Sequence, residues 1–192
     1  MSDFWLYFKL GLEHVLDWKA YDHVLFLIVL CAAYTFDSWK RLLILVTMFT
    51  LGHSVSLLLA NYDVVSVSSA WIEFLIPVTI LVTAIFNLFT ASKGNRVDKL
   101  GLFYVVTIFF GLIHGFGFAK YYGMINTDNE IMPLFEFALG IETAQIIVVL
   151  IVLFLAFLCK TVFRFNKRDW TLVVSSIVIG MVIPMLIENW LF

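Results

Sequence analysis

Long apolar stretches separated by short polar loops are the feature that most constrains how this chain can fold. A membrane-spanning helix needs about 20 predominantly apolar residues, and the 192-residue chain contains several such stretches. The composition agrees, because 62% of the residues are apolar and only 14% are charged, whereas a soluble domain carries about 25% charged residues. The sequence therefore predicts an integral membrane protein.

Seven helical segments are predicted from the apolar stretches and their polar boundaries. They cover residues 4–16, 20–36, 42–60, 70–91, 100–122, 134–158 and 170–192. The first is too short to span a membrane, and Lys9, Glu13 and Asp17 recur along one side of it, which is typical of an amphipathic helix at the membrane surface. The predicted fold class is an all-α polytopic membrane bundle. It has six transmembrane helices and a short N-terminal amphipathic helix, in a single domain over residues 1–192.

Lys and Arg fall in alternate loops, which predicts the orientation of the helices. Three loops carry Lys40 and Arg41, then Lys93, Arg96 and Lys99, then Lys160, Arg164, Lys167 and Arg168. The loop at 61–69 has no Lys or Arg, and the loop at 121–133 carries Asp128 and Glu130. We therefore expect the first three loops to face the cytoplasm and the other two to face outward.

A few polar side chains interrupt the apolar segments, and each is a functional candidate because a polar group inside a membrane is costly. These residues are His14, Asp22, His23, His53, Ser54, Ser56, Glu73, Asn87, His114, Glu136, Glu142, Gln145, Glu188 and Asn189. At a helix rise of 1.5 Å per residue, His53 and His114 lie about 10 Å below the outer ends of their helices. All four histidines map to the outer half of the membrane.

Histidines and carboxylates at one depth on different helices predict a transition-metal site. Neutral imidazole binds Zn, Ni, Cu and Fe, and carboxylates complete or orient the ligand set. Other roles remain open at single positions: Asp22 also fits an N-cap, and His14 also fits an interfacial position. Glu142 and Gln145, one turn apart, also fit packing hydrogen bonds between helices.

Three stretches that contain His23, His53 and His114 resemble the HupE/UreJ family of small bacterial membrane proteins. They are DHVLFL at residues 22–27, FTLGHSVSL at 49–57 and FGLIHGFGFA at 110–119, which are similar to the family's DHLLFL, FTLAHSITL and FGLIHGFGFA. Residues 73–87 and 137–145 are weaker matches, and position 137 holds Phe where the family often has Asn. In the third stretch Gly111 and Gly115 form a GxxxG pair, which also fits close helix packing.

The resemblance implies a multi-pass protein of the bacterial inner membrane that handles metal ions, from a family linked to nickel supply for hydrogenase and urease. With the imidazole chemistry, the expected ion is Ni or Zn, and the charged loops predict that the site lies toward the periplasmic or outer face. Carried over residue by residue, the resemblance implies a metal-handling set of His14, Asp22, His23, His53, His114 and Glu142.

Three functions remain open on the sequence, with transport favoured over an enzyme. The first is transport of a divalent transition metal. The second is an intramembrane zinc hydrolase, in which histidines and an acid leave one position on the metal for water; this is similar in chemistry to alkaline ceramidases. The third is an assembly partner with a structural metal. The bilayer and the metal ion are the expected partners, with a second copy or another membrane protein also compatible. The net charge of −2 without a basic run argues against nucleic acid.

Overall fold

The computed structural model of the chain describes residues 3–92, 100–126 and 131–191. Over these residues the structure is all-helical, with seven α-helices and no strand, as predicted. The helices are α1 (Asp3–Leu16), α2 (Asp22–Cys31), α3 (Trp39–Asn61), α4 (Ser69–Thr90), α5 (Leu100–Ile125), α6 (Ile131–Val162) and α7 (Lys167–Glu188). A 3-10 turn, Phe36–Ser38, precedes α3. The loop residues Lys93, Arg96, Lys99, Asp128 and Glu130 lie outside the described residues.

Five helices, α3 to α7, are long and apolar enough to cross a membrane. Their apolar stretches measure 22 to 32 residues, which at 1.5 Å per residue exceeds the roughly 30 Å of a bilayer core. Large apolar side chains on their outer surfaces are exposed, among them Leu150 and Phe154 of α6. Such a surface suits contact with lipid rather than water.

The second predicted span differs from the sequence prediction, because its helix is short and central. Helix α2 has 10 residues, about 15 Å, and non-helical chain leads from it to the 3-10 turn. Its side chains enter both apolar clusters of the described structure. Leu27 and Cys31 pack in the cluster shared with α1, α3 and α6, whereas Leu25, Phe26 and Val29 pack in the one shared with α4 and α7. A helix that is apolar on all sides is buried in this way.

Side chains from two other helices donate hydrogen bonds to carbonyl groups at the end of α2. The last turn of a helix leaves carbonyl groups without partners, and a bilayer core supplies no water to replace them. Asn87 Nδ2 of α4 donates to the Val29 carbonyl oxygen at 2.7 Å, and Thr171 Oγ1 of α7 donates to the Ala32 carbonyl oxygen at 2.7 Å. These bonds let α2 end early, and they give Asn87 a structural role.

Helices α3 and α5 run parallel in close contact through glycine. A Cβ at Gly52 would overlap the carbonyl oxygen of Ile108, and one at Gly111 would overlap the carbonyl oxygen of Phe49. Gly115, the second glycine of the GxxxG pair, lies against the next turn of α3. The small residues beside His114 therefore let α3 approach, as the packing interpretation predicts.

Helix α1 packs along the first part of α6, again through glycine. A Cβ at Gly11 would overlap the carbonyl oxygen of Phe137, and one at Gly140 would overlap the carbonyl oxygen of Phe8. With 14 residues, about 21 Å, α1 is too short to span. Its contact with α6 carries His14, near its C-terminal end, in among the other helices.

Candidate metal centre

Three histidines from three helices come together at the centre of the structure. His14 is on α1, His23 on α2 and His53 on α3, and one ligating nitrogen of each lies within 4.8 Å of the others. Their ring centroids are 4.6 Å apart for His14 and His23, 5.5 Å for His14 and His53, and 5.7 Å for His23 and His53. We call these three residues the histidine trio.

Two of the trio are buried and His14 is half-buried, and four of their ring nitrogens lack hydrogen-bond partners. His23 and His53 are 3% and 0% exposed. Nε2 of His14, Nε2 of His23 and both ring nitrogens of His53 are buried without a partner. A buried polar atom without a partner costs free energy, so a ligand that accepts these lone pairs would stabilise the arrangement.

Asp22 orients His23. In the tautomer with the proton on Nδ1, the His23 ring donates to Asp22 Oδ1 at 3.2 Å, and the same oxygen accepts the His23 backbone N–H at 2.9 Å. Asp22 is the first residue of α2, and its preceding residue Tyr21 makes no side-chain cap. A carboxylate on one ring nitrogen is the usual outer partner of a metal-binding histidine, and it leaves Nε2 facing the other rings.

His114 lies beside the trio rather than within it. Its ring is 5.2 Å from the ring of His23, centroid to centroid. Its Nδ1 donates to the Phe110 carbonyl oxygen at 2.9 Å, and its Nε2 is buried without a partner. The backbone bond fixes the tautomer and leaves Nε2 with a free lone pair.

Glu142 is the one member of the predicted set that makes its contacts elsewhere. Thr47 Oγ1 of α3 donates to Glu142 Oε1 at 2.7 Å, and Thr50 Oγ1 is hydrogen-bonded to Glu142 Oε2. Thr50 Oγ1 also lies 3.1 Å from Gln145 Oε1. The hydrogen bonds predicted between helices are therefore present, and they link α6 to α3 beside the trio.

Aromatic rings surround the histidines. The Phe118 ring is 4.0 Å from His14, and the Phe137 ring is 5.8 Å from His14 and 6.3 Å from His53. Phe49 lies 5.0 Å from His114 and 6.0 Å from His23. All three are in the stretches that carry the family resemblance, which is the one signal that points to them. Their rings form an apolar wall beside the trio.

An open cavity reaches the trio from one side. It has a volume of about 590 Å³, and it is lined in part by Glu13, His14, Asp17, Phe118 and Tyr121. Two carboxylates at its rim would attract a cation, although Glu13 is also paired with Lys9 at 3.5 Å. His14 connects this cavity to the buried histidines.

The serines next to His53 do not form a nucleophile with it. Ser56 Oγ donates to the His53 backbone carbonyl oxygen at 2.8 Å, the ordinary bond of a serine within a helix. This matches the simpler interpretation of the serine.

A comparison with protein families matches nearly the whole chain. The family model described as HupE / UreJ protein covers residues 1–191. The chain belongs to the HupE/UreJ family. Comparison of the chain with curated proteins and with solved structures finds no match. The resemblance predicted from short stretches is thus confirmed over all seven helices, and every residue of the predicted metal-handling set falls within the matched HupE/UreJ region.

Proposed function

We propose that this HupE/UreJ protein binds a divalent transition metal, Ni²⁺ or Zn²⁺, at the histidine trio and carries it across a bacterial inner membrane. The observation that carries the proposal is the set of buried ring nitrogens without partners, contributed by three different helices. Ordinary core histidines have their nitrogens hydrogen-bonded. A metal ion would satisfy several of them at once.

The imidazole ligands suit a transition metal of intermediate hardness. Zinc binds imidazole nitrogens at about 2.0–2.1 Å, so that tetrahedral ligands lie about 3.4 Å apart. The nitrogens of the trio lie within 4.8 Å of one another, so modest ring rotations would close the site. His114, whose ring lies 5.2 Å from that of His23, would supply a fourth nitrogen, and Asp22 would hold His23 in the binding tautomer.

The acidic cavity gives the ion a way in. We place the cavity, with Glu13 and Asp17 at its rim, toward the periplasmic face, as the distribution of Lys and Arg predicts. Because α2 contributes side chains to both apolar clusters, we also propose that residues 1–192 act as one domain around this centre.

A zinc hydrolase is the second candidate, because three histidine ligands leave one position on the metal open for water. The hydroxyl of Ser56 donates a hydrogen bond to the His53 backbone carbonyl oxygen. A hydrolase would therefore use metal-bound water rather than this serine. A structural metal in an assembly partner predicts instead a closed four-ligand shell.

Metal content of the purified protein tests the binding step. We expect bound Ni or Zn by elemental mass spectrometry in the unaltered protein, with most of it lost in His23→Ala and His53→Ala. Ser175→Ala is the matched control, since Ser175 is a buried polar residue of α7 outside the trio. Equal metal content in all four proteins would contradict the proposal.

Proteoliposomes separate transport from the alternatives. A transporter loads vesicles with Ni²⁺ or Zn²⁺ at a rate that falls in His53→Ala and is unchanged in Ser175→Ala. Metal binding without uptake would leave the hydrolase or the structural role, which hydrolysis assays and loss of stability on chelation distinguish.

A further inference from the structure

Four oxygen-bearing side chains of α3 and α6 meet next to the histidine trio. They are Thr47, Thr50, Glu142 and Gln145. Thr50 and Gln145 are 7% and 0% exposed, whereas Glu142 is half-buried and Thr47 is exposed. Among the described residues no Lys or Arg forms an ion pair with Glu142.

Oxygen atoms outnumber the hydrogens available to bridge them. Thr50 Oγ1 lies within hydrogen-bond distance of Glu142 Oε2, of Gln145 Oε1 at 3.1 Å and of the Val46 carbonyl oxygen at 3.3 Å. Its hydroxyl has one hydrogen and can serve one of these acceptors at a time. The amide nitrogen of Gln145 is buried without a partner, so it supplies no hydrogen here. The two threonine hydroxyls supply only two hydrogens, so several of the converging lone pairs have no donor.

We propose that Thr47, Thr50, Glu142 and Gln145 form a second cation site, and that this site binds Na⁺. Carboxylate, amide and hydroxyl oxygens are the ligands of hard cations, in contrast to the imidazoles of the trio. The site carries a single negative charge, from Glu142. A monovalent cation neutralises that charge, whereas a divalent ion would leave a net positive charge within the apolar part of the protein, which is costly.

The sodium site is separate from the trio and close to it. Thr50 precedes His53 by three residues on α3, a rise of about 4.5 Å. On the predicted orientation Thr50 lies on the cytoplasmic side of His53, so an ion moving inward from the trio would pass the sodium site. The inference rests on the oxygen contacts and does not depend on metal binding by the histidines.

The half-exposed carboxylate provides a direct test. A hydrophobic carbodiimide reaches carboxyl groups from the lipid side and modifies the protonated form, and a cation bound to the carboxylate prevents the reaction. In purified protein in a mildly acidic, sodium-free choline buffer, we expect modification of Glu142, mapped by mass spectrometry. Sodium chloride should slow the modification several-fold, whereas equal concentrations of potassium or choline chloride should not.

Variants show whether the neighbouring oxygens form the site. Thr50→Val and Gln145→Leu should still be modified at Glu142 but should lose protection by Na⁺. Thr143→Val is the matched control, because the Thr143 hydroxyl donates to the Leu139 carbonyl oxygen, and it should keep the protection. His53→Ala should keep it as well, which separates this site from the proposed metal site.

Equal modification of Glu142 with and without Na⁺, including none in either buffer, would overturn the sodium site. Protection by potassium and choline to the same extent would do so too. In either case the four side chains would only form hydrogen bonds between α3 and α6.

Discussion

At the scale of single residues, the most informative contact is the one between neighbours in the sequence, Asp22 and His23. The carboxylate accepts hydrogen bonds from both the ring Nδ1–H and the backbone N–H of His23. A long-range contact could shift when the helices move, whereas this pair is held by the start of one helix. His23 can therefore keep its tautomer while His14 and His53, on other helices, move around it.

We predict that Asp22→Asn weakens metal binding by about 10- to 100-fold, the usual effect of losing the outer partner of a ligating histidine. The asparagine can still contact the ring, but it lacks the charge that favours the Nδ1 tautomer. Titration of the metal-free protein against a competing chelator measures the affinity. Asp169→Asn, at the start of α7, is the control and should bind like the unaltered protein. Equal affinities in all three would show that Asp22 only begins the helix.

Also at this scale, the ring of Phe137 occupies a position where the family resemblance predicts Asn. Its ring lies 5.8 Å from that of His14 and 6.3 Å from that of His53, centroid to centroid. In this chain the position contributes an apolar wall beside the histidine trio instead.

At the scale of helices, glycine contacts set the distances on which the site depends. The α3–α5 contact brings His53 and His114 to the same region, and the α1–α6 contact brings in His14. Each contact places a glycine directly against a carbonyl group of the opposite helix. Close approach at small residues is a common way for membrane helices to associate.

We predict that Gly111→Ala destabilises the protein by about 1–3 kcal/mol, the typical cost of overpacking, because its Cβ would overlap the Phe49 carbonyl oxygen. Gly180→Ala is the matched control: nothing lies within 4 Å of a Cβ there, and alanine in mid-helix is favoured over glycine by about 0.5–1 kcal/mol. Thermal unfolding in detergent should show opposite shifts in Tm. A Gly111→Ala protein as stable as the control would mean that α3 and α5 can separate without cost.

At the scale of the whole molecule, the helix directions agree with the alternation that the charged loops predict. Helices α3 and α5 are parallel. Helices α4 and α7 are antiparallel, because the Phe74 ring near the start of α4 is 5.8 Å from the Trp190 ring just beyond α7. At the opposite ends, Arg168 Nε donates to Ser92 Oγ at 2.9 Å. The contacts fix the relative directions, and the positive-inside rule predicts which end faces the cytoplasm.

Labelling of single cysteines tests that orientation. In a background with Cys31 and Cys159 replaced by serine, we expect a membrane-impermeant maleimide to label Ser66→Cys in intact spheroplasts. Asp37→Cys, in the exposed 3-10 turn, should react only after the membrane is permeabilised. The reverse pattern would invert the topology and would place the acidic cavity on the cytoplasmic side.

The sequence by itself determined the membrane setting, the seven helices, the family and the identity of the histidines. These follow from local properties: the length of an apolar stretch, the positions of charges beside it and short stretches of recognisable sequence. The helix limits were predicted to within a few residues for most segments, but α2 ended early because its last carbonyls are satisfied by Asn87 and Thr171, which are distant in the sequence.

Only the tertiary structure decided how the polar residues are grouped. It placed His14, His23 and His53 within reach of one ion, His114 beside them and Glu142 among threonine and glutamine oxygens. Depth along a helix is readable from the sequence, since the rise per residue is constant. Which side of each helix faces which neighbour depends on packing between segments far apart in the chain, and here glycine contacts between helices set that rotation.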